Sequence, residues 1–399
     1  MRLRSASINL GLSLVALAVT LLAMEGVVRV LAARRGKGKE QNEFAQYQVP
    51  DPVLGWRNKP NARVFFRRRE YEVELRTNAQ GLRDRARSYE GSAFRVLALG
   101  DSFPEAYSVP LEQSVTQVLE QKLAGPACPI EVINAGVAGY STDQEYLAYR
   151  QEGVRYHPQV VVLFFCYNDV LATISSIAYG RPKPVLDFRA AHPVVANEPV
   201  PPPPPAPPAS ATRRHAEGGS ALWGWTKERL QRRPRLYNAL AKLGLFRPIR
   251  PVYPPRELSV YWRRAPPEVD RAWGQVDRIL GALAKETEAH DTRFLVAYVP
   301  NRFEVSDRDL EVTRAWYGLD EASWGRAPVL RRLNGIASAR GFPVLDLTAA
   351  LRKVDDPLRS PYYEYDGHWN AIGHRAAAAA IAERLGAQGW LPPCAGKGR

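Results

Sequence analysis

Cysteine is scarce in this chain: three residues in 399, beside six histidines and two methionines. So few thiols exclude a disulfide-dense scaffold, and no Cys/His spacing matches a metal-ligand set. No metal and no organic cofactor is called for. Cys166 closes the apolar run Val160-Val161-Val162-Leu163-Phe164-Phe165 and reads as a small core residue. Cys128 and Cys394 stand in loop-like sequence, and whether they pair stays open, because sequence does not set the distance between them. Acid is also in short supply, with 41 Asp+Glu against 55 Lys+Arg and a formal charge of +14. Basic chains bind nucleic acid or anionic membranes. Here the arginines are dispersed apart from short runs such as Arg67-Arg68-Arg69, and no aromatic-interleaved basic helix accompanies them. We expect a solvated basic surface and no nucleic-acid partner. With 45% hydrophobic residues the chain has ample material for a core, which excludes wholesale disorder.

One long uncharged run is present. Residues 5–24 hold 20 positions rich in Leu, Ala and Val, and a helix of that length covers about 30 Å, the thickness of a hydrocarbon core. Ala16-Leu17-Ala18 has the form of a cleavage signal but falls inside the run. We therefore expect an uncleaved signal anchor over residues 1–34, a single transmembrane helix that attaches the chain to a membrane. Arg2 and Arg4 precede the run, whereas Arg29, Arg34, Arg35, Lys37 and Lys39 follow it. By the positive-inside count, that excess keeps the following domain cytoplasmic.

Residues 35–92 read as a linker and a small β-rich prelude, with strands expected at 62–66 and 70–75. A third segment, 93–392, alternates strands with helices. Strands are expected at 95–99, 130–133, 160–165, 293–299 and 343–347, and helices at 114–123, 141–151, 267–289, 327–340 and 371–385. The pattern is interrupted at about 180–262, where Pro201–Pro205, Pro207 and Pro208 mark a proline-rich insertion or spacer. This alternation predicts an α/β fold: a three-layer α/β/α sandwich around a five-stranded parallel sheet, flavodoxin-like in arrangement.

Chemistry-bearing residues follow these strands. Gly100-Asp101-Ser102 comes directly after the first strand, where a tight turn exposes a serine hydroxyl at the sheet's top edge. Gly139, after the second strand, can offer a bare backbone N–H, and Asn168, at the end of the third, a side-chain amide. Asp366-Gly367-His368 precedes the closing helix, and an acid two residues from a histidine can orient the imidazole and support its charge. His374 lies six residues further on and is the alternative base. Together these supply a nucleophile (Ser102), a base (His368), an orienting acid (Asp366) and three oxyanion donors: the backbone N–H groups of Ser102 and Gly139 and the Asn168 amide.

Those blocks resemble the SGNH/GDSL hydrolase family. Val96-Leu97-Ala98-Leu99-Gly100-Asp101-Ser102 is similar to its first block, Asn134-Ala135-Gly136-Val137-Ala138-Gly139 to its second, Asn168-Asp169 to its third and Asp366-Gly367-His368 to its last. Asp51-Pro52-Val53-Leu54-Gly55-Trp56 and Asn78-Ala79-Gln80-Gly81-Leu82-Arg83-Asp84 resemble the prelude of a bacterial branch with an N-terminal membrane segment. That likeness implies a periplasmic catalytic domain, against the positive-inside count. It also implies a serine esterase acting on a small-molecule, lipid or glycan ester. The chain departs from the family at Cys166, where Gly is usual, and at Phe103-Pro104-Glu105 after the serine. Its Asp-x-His spacing, shorter than the family's Asp-x-x-His, resembles that of the alginate O-acetylation proteins. The alternatives implied are an O-acyltransferase for an envelope polysaccharide and an inactive binding protein of the same fold.

Overall fold

The computed structural model describes residues 2–35, 43–125, 128–189, 193–203, 256–356 and 359–395, with isolated positions between 220 and 240. Most of the proline-rich insertion lies outside the described residues. The chain forms two compact units, Met1–Asn42 with Pro204–Pro251, and Glu43–Pro203 with Val252–Arg399.

In the first unit, residues 2–35 form one helix, α1 (Arg2–Arg35). Among the described residues no helix is long and apolar enough to cross a membrane. The uncharged run read from the sequence ends at Glu25. The Glu25 carboxylate accepts from Arg29 Nε at 2.6 Å, from Ser220 Oγ at 2.7 Å and from the Leu222 N–H at 2.8 Å. The side chains of residues 5–11 and 14, within the expected run, lie outside the described ones.

The second unit opens with the prelude: α2 (Glu43–Tyr47), the antiparallel pair β1 (Gln48–Asp51) and β2 (Gly55–Asn58), and the hairpin β3 (Arg63–Arg67) and β4 (Glu72–Arg76). The hairpin alternates as a half-buried strand pair does. Val64, Phe66, Val73 and Leu75 turn inward onto Tyr47, Tyr71 and Tyr107, and their arginine and glutamate neighbours face solvent.

There follow β5 (Phe94–Leu99), α3 (Ser102–Glu105), α4 (Val115–Leu123), β6 (Ile130–Asn134), α5 (Thr142–Gln151), β7 (Val160–Cys166) and α6 (Asp169–Ala172). Two short hairpins come next, β8 (Ile177–Ala178) with β9 (Arg181–Pro182), and β10 (Leu186–Asp187) with β11 (Val194–Val195). The chain then runs through α7 (Pro267–Ala289), β12 (Arg293–Val299), α8 (Arg302–Val305), α9 (Asp307–Tyr317), α10 (Ala327–Arg340), β13 (Val344–Asp346), α11 (Thr348–Arg352) and α12 (Ala371–Ala387). Five strands form one parallel sheet in the order β13-β12-β7-β5-β6.

All seven residues of β7 are buried, as a strand covered on both faces requires. Val161, Leu163 and Phe165 join one core with Val276, Ile279 and Leu283 of α7. Val162, Phe164 and Cys166 join the other with Val118 of α4 and Ala377 and Ile381 of α12. Two cores on opposite faces make three layers, and each fully buried Val, Leu, Ile or Phe contributes about 1.5–3 kcal/mol. Cys128 and Cys394, 266 residues apart, form a disulfide with Cα atoms 5.5 Å apart, and Cys166 is free and buried.

Chain order and strand order part company beside β5. The chain leaves β5 for β6 on one side and then for β7 on the other. The crevice at such a reversal, outside the strands' carboxyl ends, is where open α/β sheets bind ligands.

The prelude is fastened to this edge by buried polar contacts. Glu105, fully buried at the end of α3, accepts from Asn58 Nδ2 at 2.9 Å, from the Tyr47 hydroxyl at 3.1 Å and from the Ala138 N–H at 3.1 Å. The buried Arg83 guanidinium donates to the carbonyls of Glu105, Ala106 and Val109 at 2.7, 2.5 and 2.5 Å, and burial lowers it to about 10. Burial raises the Glu105 carboxyl to about 7, against the pull of its donors and of Arg83. From its ordinary value of 4.5 up to about 7, the folded protein therefore keeps a proton that the unfolded chain has released. This contribution is complete below pH 4.5 and is lost as pH rises through about 7. Stability measured by urea unfolding should fall over that window, and Glu105→Gln should flatten the fall; an unchanged slope in the variant would contradict the assignment.

Candidate active site

Ser102 begins α3 immediately beyond β5. Gly100 takes φ +152°, and a Cβ there would lie 2.6 Å from Pro104 Cγ and 2.9 Å from Phe164 Cβ, so only glycine fits this turn. Asp101 caps the short helix, its Oδ1 accepting from the Phe103 N–H at 3.0 Å. Burial raises the Asp101 carboxyl, opposed by that backbone donor and by the charge of His368.

His368 arrives from the other end of the sequence. Its Nε2 lies 2.7 Å from Ser102 Oγ and its Nδ1 2.5 Å from Asp366 Oδ1. The structure thus brings Ser102, His368 and Asp366 together in one line of contacts. Gly367 takes φ +81°, its N–H donates to the Tyr363 carbonyl at 3.2 Å, and the Tyr363 N–H donates to the His368 carbonyl at 2.9 Å. A left-handed glycine folds the loop so that the two side chains meet. The alternative base, His374, is set aside. It is 1% exposed, its Nδ1 accepts from the Val115 N–H at 3.2 Å, and burial lowers it to about 3.

Two tyrosines that sequence reasoning missed complete the arrangement. The Tyr71 hydroxyl donates to Asp366 Oδ2 at 2.7 Å, and the Tyr107 hydroxyl lies 3.1 Å from His368 Nδ1. Burial pushes the Asp366 carboxyl up, but its hydrogen bond to His368, the imidazole's charge and the Tyr71 hydroxyl outweigh burial and hold it below the ordinary value.

Asn168 follows β7, and its Nδ2 donates to Asp101 Oδ2 at 3.4 Å and to the Tyr179 hydroxyl at 3.2 Å. Gly139 takes φ +84°, and a Cβ there would lie 3.0 Å from Arg181 Nη2 and 3.1 Å from Tyr179 Cδ2. The tip of the β8–β9 hairpin therefore lies against two of the three expected oxyanion donors, Asn168 and Gly139. Tyr179 sits beside the segment read as insertion, and no periodic or motif signal marked it. Among the described residues no group of three His, Cys, Asp or Glu is placed to hold a metal ion.

Comparison with known proteins agrees with the blocks quoted above. Residues 98–244 match the GDSL-like lipase/acylhydrolase family, and residues 264–397 match the SGNH hydrolase-like domain of the acetyltransferase AlgX. No curated protein matches the chain. Among solved structures it is similar to TesA, at 11% identity and a TM-score of 0.37, over 73% of this chain and 97% of that one. It is also similar to the lipase/acylhydrolase from Enterococcus faecalis, at 13% identity and a TM-score of 0.36, over 75% and 98%. A third is a catalytic mutant of Axe2, an acetylxylan esterase from Geobacillus stearothermophilus, at 14% identity and a TM-score of 0.37, over 77% and 100%. Ser102, Gly139 and Asn168 fall in the first matched segment, and Asp366 and His368 in the second: over these two segments the chain matches the models of GDSL-like, or SGNH, hydrolases.

Proposed function

We propose that the chain is a serine esterase that cleaves a carboxylic ester through an acyl-serine intermediate. The observation that carries this reading is the imidazole of His368, with Ser102 Oγ 2.7 Å from Nε2 and Asp366 Oδ1 2.5 Å from Nδ1. Ser102 Oγ attacks the ester carbonyl carbon, and its proton passes to Nε2. Asp366 holds the Nδ1–H tautomer and stabilises the imidazolium that forms. Oxygen that becomes negative in the tetrahedral intermediate takes hydrogen bonds from the backbone N–H groups of Ser102 and Gly139 and from Asn168 Nδ2. Collapse breaks the bond to the alcohol, which leaves with the proton from Nε2. Water then attacks the acyl-serine with His368 as base, releasing the acid and restoring Ser102.

A second reading replaces that water with an acceptor hydroxyl, giving an O-acyltransferase. The match of residues 264–397, which contain Asp366 and His368, to the domain of an acetyltransferase favours it. The first half of the reaction is common to both.

We also propose that the domain works outside the cytoplasm. The Cys128–Cys394 disulfide supports this, since disulfides persist in oxidising compartments.

On p-nitrophenyl acetate, Ser102→Ala should lower turnover by about 10⁶ and Asn168→Ala by about 10²–10³. Wild-type turnover by Ser102→Ala would refute the esterase reading. Offered a polysaccharide acceptor, the enzyme should still release more free acid than acylated acceptor; transfer outpacing hydrolysis establishes the second reading instead. Protein taken from cells, denatured without reductant and alkylated, should carry one modified thiol, that of Cys166; three modified thiols would contradict the extracytoplasmic assignment.

A further inference from the structure

Asp366 sits in a loop, next to a glycine, with no helix or strand to hold it. A carboxylate that orients a base needs a fixed position, because a misplacement of about 1 Å can cost about 10²-fold in rate. Support comes from the turn between β3 and β4, in the prelude. Glu70, on that turn, directs its carboxylate at three consecutive backbone N–H groups, accepting from Glu364 at 2.6 Å, Tyr365 at 2.8 Å and Asp366 at 3.0 Å. Successive amides converging on one anion form a concave nest, and such nests bind negative charge. Here the anion is supplied from within the chain, about 295 residues away.

The flanking residues of the turn grip the same loop. The Arg69 guanidinium lies 4.1 Å from the centroid of the Tyr365 ring. The Tyr71 ring packs on Tyr363 with centroids 5.0 Å apart, and its hydroxyl donates to Asp366 Oδ2 at 2.7 Å. The turn is itself anchored. Arg68 makes a forked pair with the Glu43 carboxylate at 2.6 and 3.0 Å, and its N–H donates to the Tyr71 carbonyl at 2.9 Å.

We propose that Arg69-Glu70-Tyr71 is a positioning device for the acid of the active site. Glu70 shapes the 364–366 loop, and Tyr71 fixes the carboxylate oxygen that His368 does not use. Both act through Asp366 and neither touches substrate. The inference rests on the esterase reading for its kinetic consequence, but its geometric content stands apart from that reading.

Two measurements on the full chain test it. The first is the second-order rate at which a fluorophosphonate labels Ser102. Glu70→Gln and Tyr71→Phe should each slow labelling by about 10-fold to 100-fold, the worth of a hydrogen bond to a charged group. Introduced into Asp366→Ala, each should change the rate by less than about twofold, since a residue acting through Asp366 has nothing left to position. Equal slowing with and without Asp366 would mean a merely structural role and overturn the proposal, as would no slowing at all. The second is the proton NMR signal of His368 Nδ1–H, which needs no chemistry. It should be lost or move upfield in both variants. Failure of the wild type to label would sink the esterase reading alone; the positioning claim would then stand or fall with that signal, and an unmoved resonance would overturn it.

Discussion

Both nitrogens of one imidazole need partners, and in this fold the partners come from opposite ends of a long chain. Nε2 of His368 meets a hydroxyl 266 residues earlier, and Nδ1 meets a carboxylate two residues before it. Neither contact survives unless the loop before α12 keeps its shape. Much of the surrounding structure serves that end. Tyr362 and Trp369 form a bridge across the loop, and both are buried. The Asn370 N–H donates to the Pro361 carbonyl at 3.0 Å, and Asn370 Oδ1 then caps α12. Ser108, a few residues beyond the nucleophile, donates to the Trp369 carbonyl at 3.1 Å and accepts from the Tyr363 hydroxyl at 3.1 Å. The turn of Ser102 and the loop of His368 are therefore laced to each other directly.

The prelude is the other constraint. It lies in the same compact unit as the parallel sheet and holds the site at two levels. Beneath it, Tyr47, Asn58 and Arg83 bind the end of α3 through Glu105 and its neighbouring carbonyls. Above it, the hairpin turn reaches the loop of Asp366. Trp56 Nε1 and Gln48 Nε2 also donate to the Ala138 carbonyl, both at 3.2 Å, beside the Gly139 turn. An isolated buried carboxylate costs several kcal/mol, so Glu105 with its three donors fixes where the prelude sits.

The parallel sheet was legible because its strands are covered on both faces. A run such as Val160–Cys166 has to be apolar throughout, and it reads so in sequence. The positions of Ser102 and Asn168 were legible because each follows a strand directly, at the edge where open α/β sheets bind ligands. His368 and Asp366 were found through their order in the chain, although the turn that joins them was not, since a left-handed Gly367 leaves no periodic mark. Glu70, Tyr71 and Glu105 were invisible for a different reason. Their partners lie tens to hundreds of residues away, and a lone Glu or Tyr in a hairpin carries no local signal of what it will meet. The Cys128–Cys394 bond was open on the same ground. At the N-terminus the uncharged run was read as a span; the side chains that open it lie outside the described ones, and Glu25, which follows it, pairs with Arg29.

The central claim is that Ser102 is a nucleophile served by His368 and by donors at Gly139 and Asn168. The most direct test is a crystal structure of the protein after inactivation by a fluorophosphonate. The account predicts a phosphorus–oxygen bond at Ser102 Oγ, the imidazole still within hydrogen-bond reach, and the phosphonyl oxygen facing the Gly139 N–H and the Asn168 amide. An adduct on another residue, or an oxygen directed away from both donors, would contradict it.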